Sequence, residues 1–212
     1  LFFEDFEGLP LGPNVDEALA NPNAWTHTPP AGWSIDNAAT PGIGDPAQGV
    51  VEWEGWSFAN REWWATTAGD QRRAEFTKGT GTAAIADGDE WDDKGDPADL
   101  GKMDTSLRTP AISLAGILPN TVVLQFDSSW RPEPDQKASV SVAFDGGAPT
   151  VARLFHSDPA NADYKDDNST NDRLSVPINN PEGAQTMVIV FRYFDAGNNW
   201  WWAIDNIKVT GG

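Results

Sequence analysis

The chain has 212 residues, with 32 acidic and 14 basic side chains, a formal net charge of −18 and no cysteine. The missing cysteine excludes a disulfide framework, a thiolate metal site and a cysteine nucleophile, and the negative charge argues against nucleic acid and anionic membranes as partners. No apolar run reaches the roughly 20 residues of a membrane span, and all-β domains of this length are common.

The first third of the chain is rich in turns. Residues 2–6 form an extended acidic and aromatic segment. Between residues 10 and 45, repeated Pro, Gly and Asn pairs, Asn21-Pro22 among them, exclude any long regular element. Within this stretch only residues 15–20 are predicted to form a short helix. Residues 49–53 are predicted to begin a strand, and residues 61–68 to form a short helical turn.

The better strand patterns lie later. Pro110 interrupts one of them and demotes it to an edge or a bulge. In another, Val140, Val142 and Phe144 point one way while the residues between them point the other. Asp145-Gly146-Gly147 then supplies a hairpin turn. The predicted strands are residues 83–86, 106–114, 121–127, 138–145, 150–155, 173–178, 186–194 (a central strand) and 200–209. An acidic loop at residues 87–93 follows the first of them.

The whole chain is predicted to form one domain over residues 1–212. About ten short strands without a long helix indicate an all-β, antiparallel two-sheet β-sandwich of the jelly-roll type. A parallel α/β fold would need crossover helices that this sequence lacks. The sequence contains no internal repeat, linker or low-complexity tract.

Three segments and one hairpin carry a family resemblance. The segments are Phe6-Glu7-Gly8 followed by residues 29–33, the run from Leu107 to Leu114, and the run from Trp202 to Val209; the hairpin covers residues 140–147. In this order they resemble the cleaved-adhesin and MAM-like jelly-roll domains of extracellular proteins, and the chain is similar to accessory carbohydrate-binding modules. The resemblance spans nearly the whole chain, although each motif is short.

The resemblance implies an accessory β-sandwich that is attached to secreted bacterial enzymes or adhesins and that often carries structural calcium. Some relatives bind sugar, and others have only adhesive or spacing roles. We therefore expect a secreted, extracellular bacterial module that is monomeric and is excised from a larger protein. In that parent protein we expect a catalytic domain to be attached to it. The tryptophan-rich segments 53–64 and 200–202 depart from the usual pattern and favour ligand binding.

Carboxylates from distant parts of the chain suggest a structural calcium site. In a sandwich the first and last strands often lie side by side, which would bring Glu7 close to Asp205. Asp87 and Asp89, in a loop with Gly88, are the predicted further contributors, and Asp127 is a less certain one. Calcium prefers carboxylate and carbonyl oxygens. The alternative is that these acids pair with bases or backbone amides.

Eleven tryptophans against two tyrosines is the second unusual feature of the composition. Some must be in the core, as we expect for Trp25, Trp33 and Trp201. The surplus predicts exposed rings that stack on sugars, with polar neighbours for the hydroxyls. For any single ring, core packing remains the alternative. The candidate ligand-binding residues are Trp53, Trp56, Trp63, Trp64, Trp91, Trp130, Arg131, Asn199 and Trp200.

Three functions remain open at this stage. The favoured one is a non-catalytic module that binds polysaccharide, and the alternative is an adhesive or structural spacer that binds protein. Exposed tryptophans favour the first, and a full set of buried ones favours the second. A glycoside-active enzyme comes third, because the carboxylate pairs Glu52/Glu54 and Asp87/Asp89 are a weak signal in so acidic a chain, and no nucleophile elbow or phosphate loop is present.

Overall fold

The computed structural model describes residues 1–20 and 23–212, so that the predicted Asn21-Pro22 turn lies outside the described residues. Within them, the helices are α1 (Arg61–Thr67) and α2 (Gly88–Asp92), and single 3-10 turns cover Val51–Trp53, Arg73–Glu75 and Pro97–Asp99. The strands are β1 Phe2–Glu4, β2 Trp25–Thr26, β3 Ser34–Asp36, β4 Ser57–Asn60, β5 Thr82–Asp87, β6 Met103–Arg108, β7 Ile112–Ser113, β8 Val122–Trp130, β9 Lys137–Phe144, β10 Thr150–His156, β11 Asp172–Ile178, β12 Thr186–Ala196 and β13 Trp201–Thr210.

The strands form two antiparallel sheets packed as a β-sandwich, which confirms the predicted fold class. The seven-stranded sheet has the order β11-β8-β13-β5-β4-β2, with β1 added beside β13. The six-stranded sheet has the order β10-β9-β12-β6-β3, with β7 added beside β12. The predicted adjacency of the first and last strands is confirmed, because Phe3 pairs with Lys208. The central position of β12 is confirmed as well.

Aromatic side chains fill the space between the sheets. Trp202 is fully buried, and its ring centroid lies 5.4 Å from that of Trp56, 5.5 Å from Phe155 and 6.0 Å from Phe191. Its indole N–H donates to the hydroxyl of Ser128 (3.1 Å). A ring with so many aromatic neighbours removes a large apolar area from water.

The outer face of the seven-stranded sheet is covered by the segment that contains α1 and the turn after it. Trp201 points outward from β13, and its ring meets that of Trp64 from α1 edge to face at 5.6 Å. Arg73, from the following turn, lies over the Trp201 ring with its guanidinium carbon 4.5 Å from the centroid. This sheet therefore has a second buried layer on its outer side.

Three local predictions are wrong. Residues 15–20 form no helix, and residues 51–53 form a 3-10 turn instead of a strand. Both follow from Glu52, whose buried carboxylate accepts hydrogen bonds from the backbone N–H groups of Val15, Asp16 and Glu17 and so ties the two segments together. The acidic loop at 87–93 contains α2, because Asp87 caps its N-terminus by accepting from the N–H of Glu90 (3.3 Å).

No helix in residues 1–20 and 23–212 has the length and apolar character needed to cross a membrane.

Candidate functional site

The tryptophans do not form an exposed platform. Ten of the eleven rings are 8% exposed or less, including Trp25, Trp33 and Trp201, which were expected in the core. The expectation of exposed rings is therefore wrong for six candidates whose exposure is 0% or 8%: Trp53, Trp56, Trp63, Trp64, Trp91 and Trp130. The physical reasons differ. Trp56 and Trp130 pack between the two sheets, against Trp202 and Phe155. Trp64 belongs to a second core layer that the 61–81 segment supplies on the outer face and that the strand pattern alone does not reveal.

Trp200 is half-buried, and an arginine already covers one face of its ring. The guanidinium carbon of Arg131 lies 3.5 Å from the Trp200 ring centroid, a cation–π contact that covers one ring face. Arg131 also donates to the carbonyl of Gln71. Asn199 is buried and donates through its side-chain amide to the carbonyl of Pro134 (3.1 Å). These three predicted ligand-binding residues therefore hold neighbouring loops together.

The predicted calcium ligands fall into two separate places on the seven-stranded sheet. Asp87 pairs with Trp201 in register, whereas Asp205 pairs with Asp127 on the next strand. These positions are four residues apart along β13, which is about 13 Å at 3.3 Å per residue. In the described part of the chain, no three or more His, Cys, Asp or Glu side chains are grouped so as to hold a metal. The set of Glu7, Asp87, Asp89 and Asp205 as joint ligands is wrong.

Asp87 and Asp89 are bound by an arginine instead. The fully buried Arg73 donates to both oxygens of Asp87 (2.9 and 3.1 Å) and to Asp89 (3.0 Å), and its guanidinium lies 3.1 Å from Glu90. One cation cannot neutralise three carboxylates, of which Asp87 and Glu90 are buried and Asp89 is half-buried. Burial and the negative Asp87 accordingly raise the pKa of Glu90 to about 8, so that this cluster holds a proton at neutral pH.

Glu7 and Asp205 lie close together beside the C-terminal end of the 61–81 segment. Asp205 is 1% exposed, and its carboxylate accepts from the backbone N–H of Thr80 (3.0 Å) and from that of Asn206 (2.7 Å). Glu7 accepts from the N–H of Thr82 (3.3 Å). Burial, with the nearby charges of Glu7 and Asp127, raises the pKa of Asp205 to about 7. Among the described residues, neither Glu7 nor Asp205 has a basic side chain within 4 Å.

Asp127, the less certain ligand, is already neutralised. Arg173 donates to both of its carboxylate oxygens, each at 2.7 Å, and the side-chain amide of Asn206 donates to one of them at 3.0 Å. The pair Glu52/Glu54 is not a pair on one strand face either, because Glu52 is fully buried among backbone N–H groups. These carboxylates are engaged in the fold.

The outer face of the six-stranded sheet carries an open groove. The strand pairings place Val190 of β12 between Arg108 of β6 and Ser141 of β9, with Val151 of β10 beyond. The inward-facing neighbours, such as Leu107, are fully buried in the core. Side chains alternate between faces along a strand, so that this row points away from the core.

A second row lies two residues further along the same strands. Here Arg192 of β12 lies between Ser106 and Ser139, and Leu154 of β10 follows. Arg192 forms a bidentate pair with Asp104, at 2.7 and 2.5 Å. The same guanidinium lies over a neighbouring ring on its own strand, that of Phe194, at 4.3 Å from the ring centroid.

Together the two rows form a groove of about 400 Å³, called here the outer groove. Its floor is made of small residues that point outward and yet are nearly covered: Ser139, Ser141 and Val190 are 6%, 8% and 5% exposed. They are shielded because longer side chains rise on both sides. The outer groove is lined by Ser106, Arg108, Ser139, Ser141, Pro149, Val151, Leu154, Val190, Arg192 and Phe194.

The outer groove combines apolar walls with a few converging polar groups, which is the usual composition of a small-molecule site. Its volume lies within the range of about 300–1,000 Å³ typical of such sites. The floor is held on hydrogen-bonded strands, so that the polar groups have fixed positions. The sequence contained one signal for this site: in β9 the serines alternate with the apolar residues of the core face.

One candidate tryptophan does border a second surface cleft. Trp63, 8% exposed, lines a cleft of about 420 Å³ together with Asn60, Glu62 and Thr66. The Trp63 ring is stacked on that of Trp53, with centroids 5.6 Å apart and planes at 23°. This stacking covers one face of the Trp63 ring, and at 8% exposure the residue offers little surface to a sugar.

No family model and no curated protein matches the sequence. Among solved structures, the chain is similar to the K1 cleaved adhesin domain of Lys-gingipain from Porphyromonas gingivalis W83, with a TM-score of 0.54 and 16% identity over 100% of this chain and 98% of that one. Two carbohydrate-binding modules also align. One, TmCBM61, is in complex with beta-1,4-galactotriose (TM-score 0.46, 9% identity, 86% and 90% covered), and the other, TmCBM27, recognises mannan (0.40, 9%, 100% and 96%).

The likeness to the cleaved adhesin domain confirms, for the fold, the resemblance predicted from the sequence. At 16% identity it shows the β-sandwich and not a shared ligand.

Proposed function

We propose that this domain is a non-catalytic module that binds polysaccharide in the outer groove. The observation that carries the proposal is the groove itself, about 400 Å³ in volume, with hydroxyls of Ser139 and Ser141 on its floor and apolar and arginine side chains on its walls. Hydroxyls and guanidinium N–H groups hydrogen-bond sugar hydroxyls, while the aliphatic wall contacts the C–H face of a ring. The tryptophans support folding in this proposal and not binding.

Filling the groove floor is expected to weaken binding. Ser141→Phe places a large ring on the floor, beside Val190, and is expected to lower affinity for a bound polysaccharide at least 10-fold. The position points outward, so that the fold should persist. Affinity electrophoresis against a panel of soluble neutral and acidic polysaccharides measures the change, with thermal unfolding as a check on folding. Ser175→Phe, on an exposed position of β11 in the other sheet, is the matched control.

The possible results separate the alternatives. Loss of retardation in Ser141→Phe but not in Ser175→Phe supports the outer groove. Loss in Trp63→Ala alone would move the site to the cleft beside α1 and contradict the groove assignment. No retardation of the wild type on any polysaccharide would overturn the proposal.

A protein-binding role is the second candidate, and one observation favours it. Leu1, Phe3 and Leu118 expose 52%, 58% and 62% of their surface. Phe3 lies on β1, Leu1 immediately precedes that strand, and the N–H of Leu118 donates to the carbonyl of Gly212, just after β13. Burial of the tryptophans also favours an adhesive or spacer role. This role predicts that wild-type protein binds no polysaccharide.

We further propose that calcium stabilises the fold at Glu7 and Asp205. Two carboxylates that lack a basic partner among the described residues, one of them 1% exposed, suit a hard cation whose remaining ligands are backbone carbonyls. Bound calcium would supply the positive charge that the folded chain lacks there. Asp87 and Asp89 have no part in this proposal.

Calcium is expected to raise the thermal stability of the wild type. At about 100 times the dissociation constant, a ligand of the folded state stabilises by about 2.7 kcal/mol, which is a rise in Tm of about 5–10 °C for a chain of this size. Differential scanning calorimetry with calcium and with a chelator measures it. Asp205→Asn should lose the shift, and the exposed control Glu182→Gln should keep it. Equal Tm values of the wild type in calcium and chelator would exclude the site.

The remaining expectations stay proposals with this function: a secreted, extracellular location, a monomeric state, the absence of catalysis and an attached catalytic domain in the parent protein. Their support is the adhesin-type sandwich fold and the sequence resemblance.

A further inference from the structure

The charge of the outer groove is opposite to that of the molecule. The chain has 32 acidic and 14 basic residues, yet the side chains that line this groove include two arginines, Arg108 and Arg192, and no aspartate or glutamate. Asp104 pairs with Arg192, so that a ligand in the groove meets, among the described residues, one unpaired positive charge, that of Arg108. At physiological salt the Debye length is about 8 Å, so that distant acids on the surface contribute little to the potential inside it.

The two arginines differ in whether the guanidinium is paired with a carboxylate. Arg192 is committed to Asp104 by two hydrogen bonds, at 2.7 and 2.5 Å, and its guanidinium lies against Phe194. That pairing fixes one wall of the groove and neutralises the charge of Arg192. Arg192 is thus a rigid, hydrogen-bonded wall and not the group that would capture an anion.

Arg108 is the groove cation that the fold leaves without a partner. Its position on β6 is opposite Ser34 on one side and Val190 on the other. Within residues 1–20 and 23–212, no carboxylate lies within 4 Å of its guanidinium, and the guanidinium donates no hydrogen bond. The side chain is half-buried beside the covered floor residues Val190 and Ser141, where an ion pair is screened less than at an open surface.

A free guanidinium in such a position suits an anionic group with two neighbouring oxygens. Its planar fork of N–H donors binds a carboxylate or a phosphate through two parallel hydrogen bonds, and on this same face of the sheet Arg192 binds the carboxylate of Asp104 in that way. One such cation recognises one carboxylate. A dense polyanion would in addition bring its other charges towards a molecule whose net charge is −18.

Resting on the proposed polysaccharide-binding function, we propose that Arg108 selects a polysaccharide whose largely neutral backbone carries spaced uronate residues, with the uronate carboxylate bound by its guanidinium. The neighbouring hydroxyls of Ser106 and Ser141 and the aliphatic Val151 then contact the rest of the sugar. Arg108 determines which polysaccharide is preferred, and the groove floor provides the contacts that any bound sugar makes.

The test uses pairs of polysaccharides that differ only in the carboxylate. Glucuronoxylan and gum arabic are each compared with their carboxyl-reduced forms, alongside polygalacturonate as a dense polyuronate and a sulfated galactan. Dissociation constants come from affinity electrophoresis and calorimetry. For at least one pair, the wild type is expected to bind the native form at least 10-fold more tightly than the reduced form, and more tightly than either dense polyanion.

The variants assign that preference to one residue. Arg108→Gln is expected to weaken binding of the native form at least 10-fold while leaving the reduced form unchanged, and Arg108→Lys is expected to fall in between. Arg153→Gln is the matched control: it removes the same charge from an exposed position of β10, beside Leu174 and Pro177 and outside the outer groove.

The failures are distinguishable. Equal binding of native and reduced forms in both pairs, binding of neutral polysaccharides alone, or an equal loss in Arg153→Gln would overturn the role of Arg108 and leave the proposed function standing. Preference for the sulfated galactan or polygalacturonate would overturn the choice of a spaced uronate. If the wild type binds no polysaccharide, the proposed function fails and this inference fails with it.

Discussion

Trp202→Ala is expected to destabilise the domain by about 4 kcal/mol, since truncating a buried tryptophan removes its apolar contacts and leaves a cavity. The Trp202 ring touches four aromatic rings from both sheets, the most distant being Phe126 with centroids 6.4 Å apart. The change would also leave the hydroxyl of Ser128 without its indole partner. Urea denaturation followed by circular dichroism measures the loss.

Trp200→Ala is the matched control for this prediction. Trp200 lies two residues earlier and is half-buried, with its face against Arg131. Its removal should cost about 1 kcal/mol, the size of one exposed cation–π contact. If the two substitutions cost the same, or if Trp202→Ala costs under 1.5 kcal/mol, the central position given to Trp202 is wrong.

Arg73→Met is expected to destabilise the domain by about 3–5 kcal/mol at pH 8, because it leaves buried carboxylates without their cation. Arg73 bonds to Asp87 and Asp89 and contacts Glu90, and its guanidinium packs on the Trp201 ring. Methionine keeps most of the volume, so that the loss reports the charge. The fall in Tm should be about 10 °C, measured by calorimetry.

Two comparisons sharpen this prediction. Arg61→Met, which removes a cation whose acidic partner Glu62 is 83% exposed, should cost under about 1 kcal/mol. The loss in Arg73→Met should shrink towards pH 4–5, where the carboxyls can take up protons. A loss that is the same at pH 5 and pH 8 would show that packing, and not charge, is what Arg73 provides.

Glu90 gives the sign of the pH dependence. The pKa of Glu90 is about 8 in the fold against an ordinary value of 4.5. The unfolded chain therefore releases this proton at lower pH than the folded chain does, and the free energy of unfolding falls as the pH rises from about 4.5 to 8. Glu90→Gln removes an acid from the cluster from which Arg73→Met removes the cation. This variant should flatten the fall in the free energy of unfolding and be more stable than the wild type by about 2 kcal/mol at pH 9.

Much of the fold could be predicted because strand patterns are local. The alternation of Val140 and Val142 with serines defined β9 and its buried face, and the apolar run at 186–194 correctly indicated the central strand β12. The short strands β2, β3 and β4 were not predicted, because two to four residues among prolines and glycines carry no period. Their pairing partners, such as Arg108 for Ser34, lie far away in the sequence.

The site could not be predicted for a related reason. Tryptophan is equally suited to a surface platform and to a core, and what decides between them is whether another segment covers it. Arg73 and Trp64 cover Trp201, but nothing in the local pattern of residues 61–81 shows where that segment lies. Likewise Asp87 and Asp205 look alike in sequence. Only the structure shows that Arg73 lies beside Asp87 and that, among the described residues, Asp205 has no such cation.

The burial of the tryptophans has a spectroscopic consequence. Indoles shielded from water emit at shorter wavelengths, so that the intrinsic fluorescence of this protein should be blue-shifted in the fold and move to the red on unfolding. The stacked Trp53 and Trp63 rings, 5.6 Å apart, should couple as an exciton pair in circular dichroism. Because no indole lines the outer groove, a sugar bound there should leave the emission maximum unchanged.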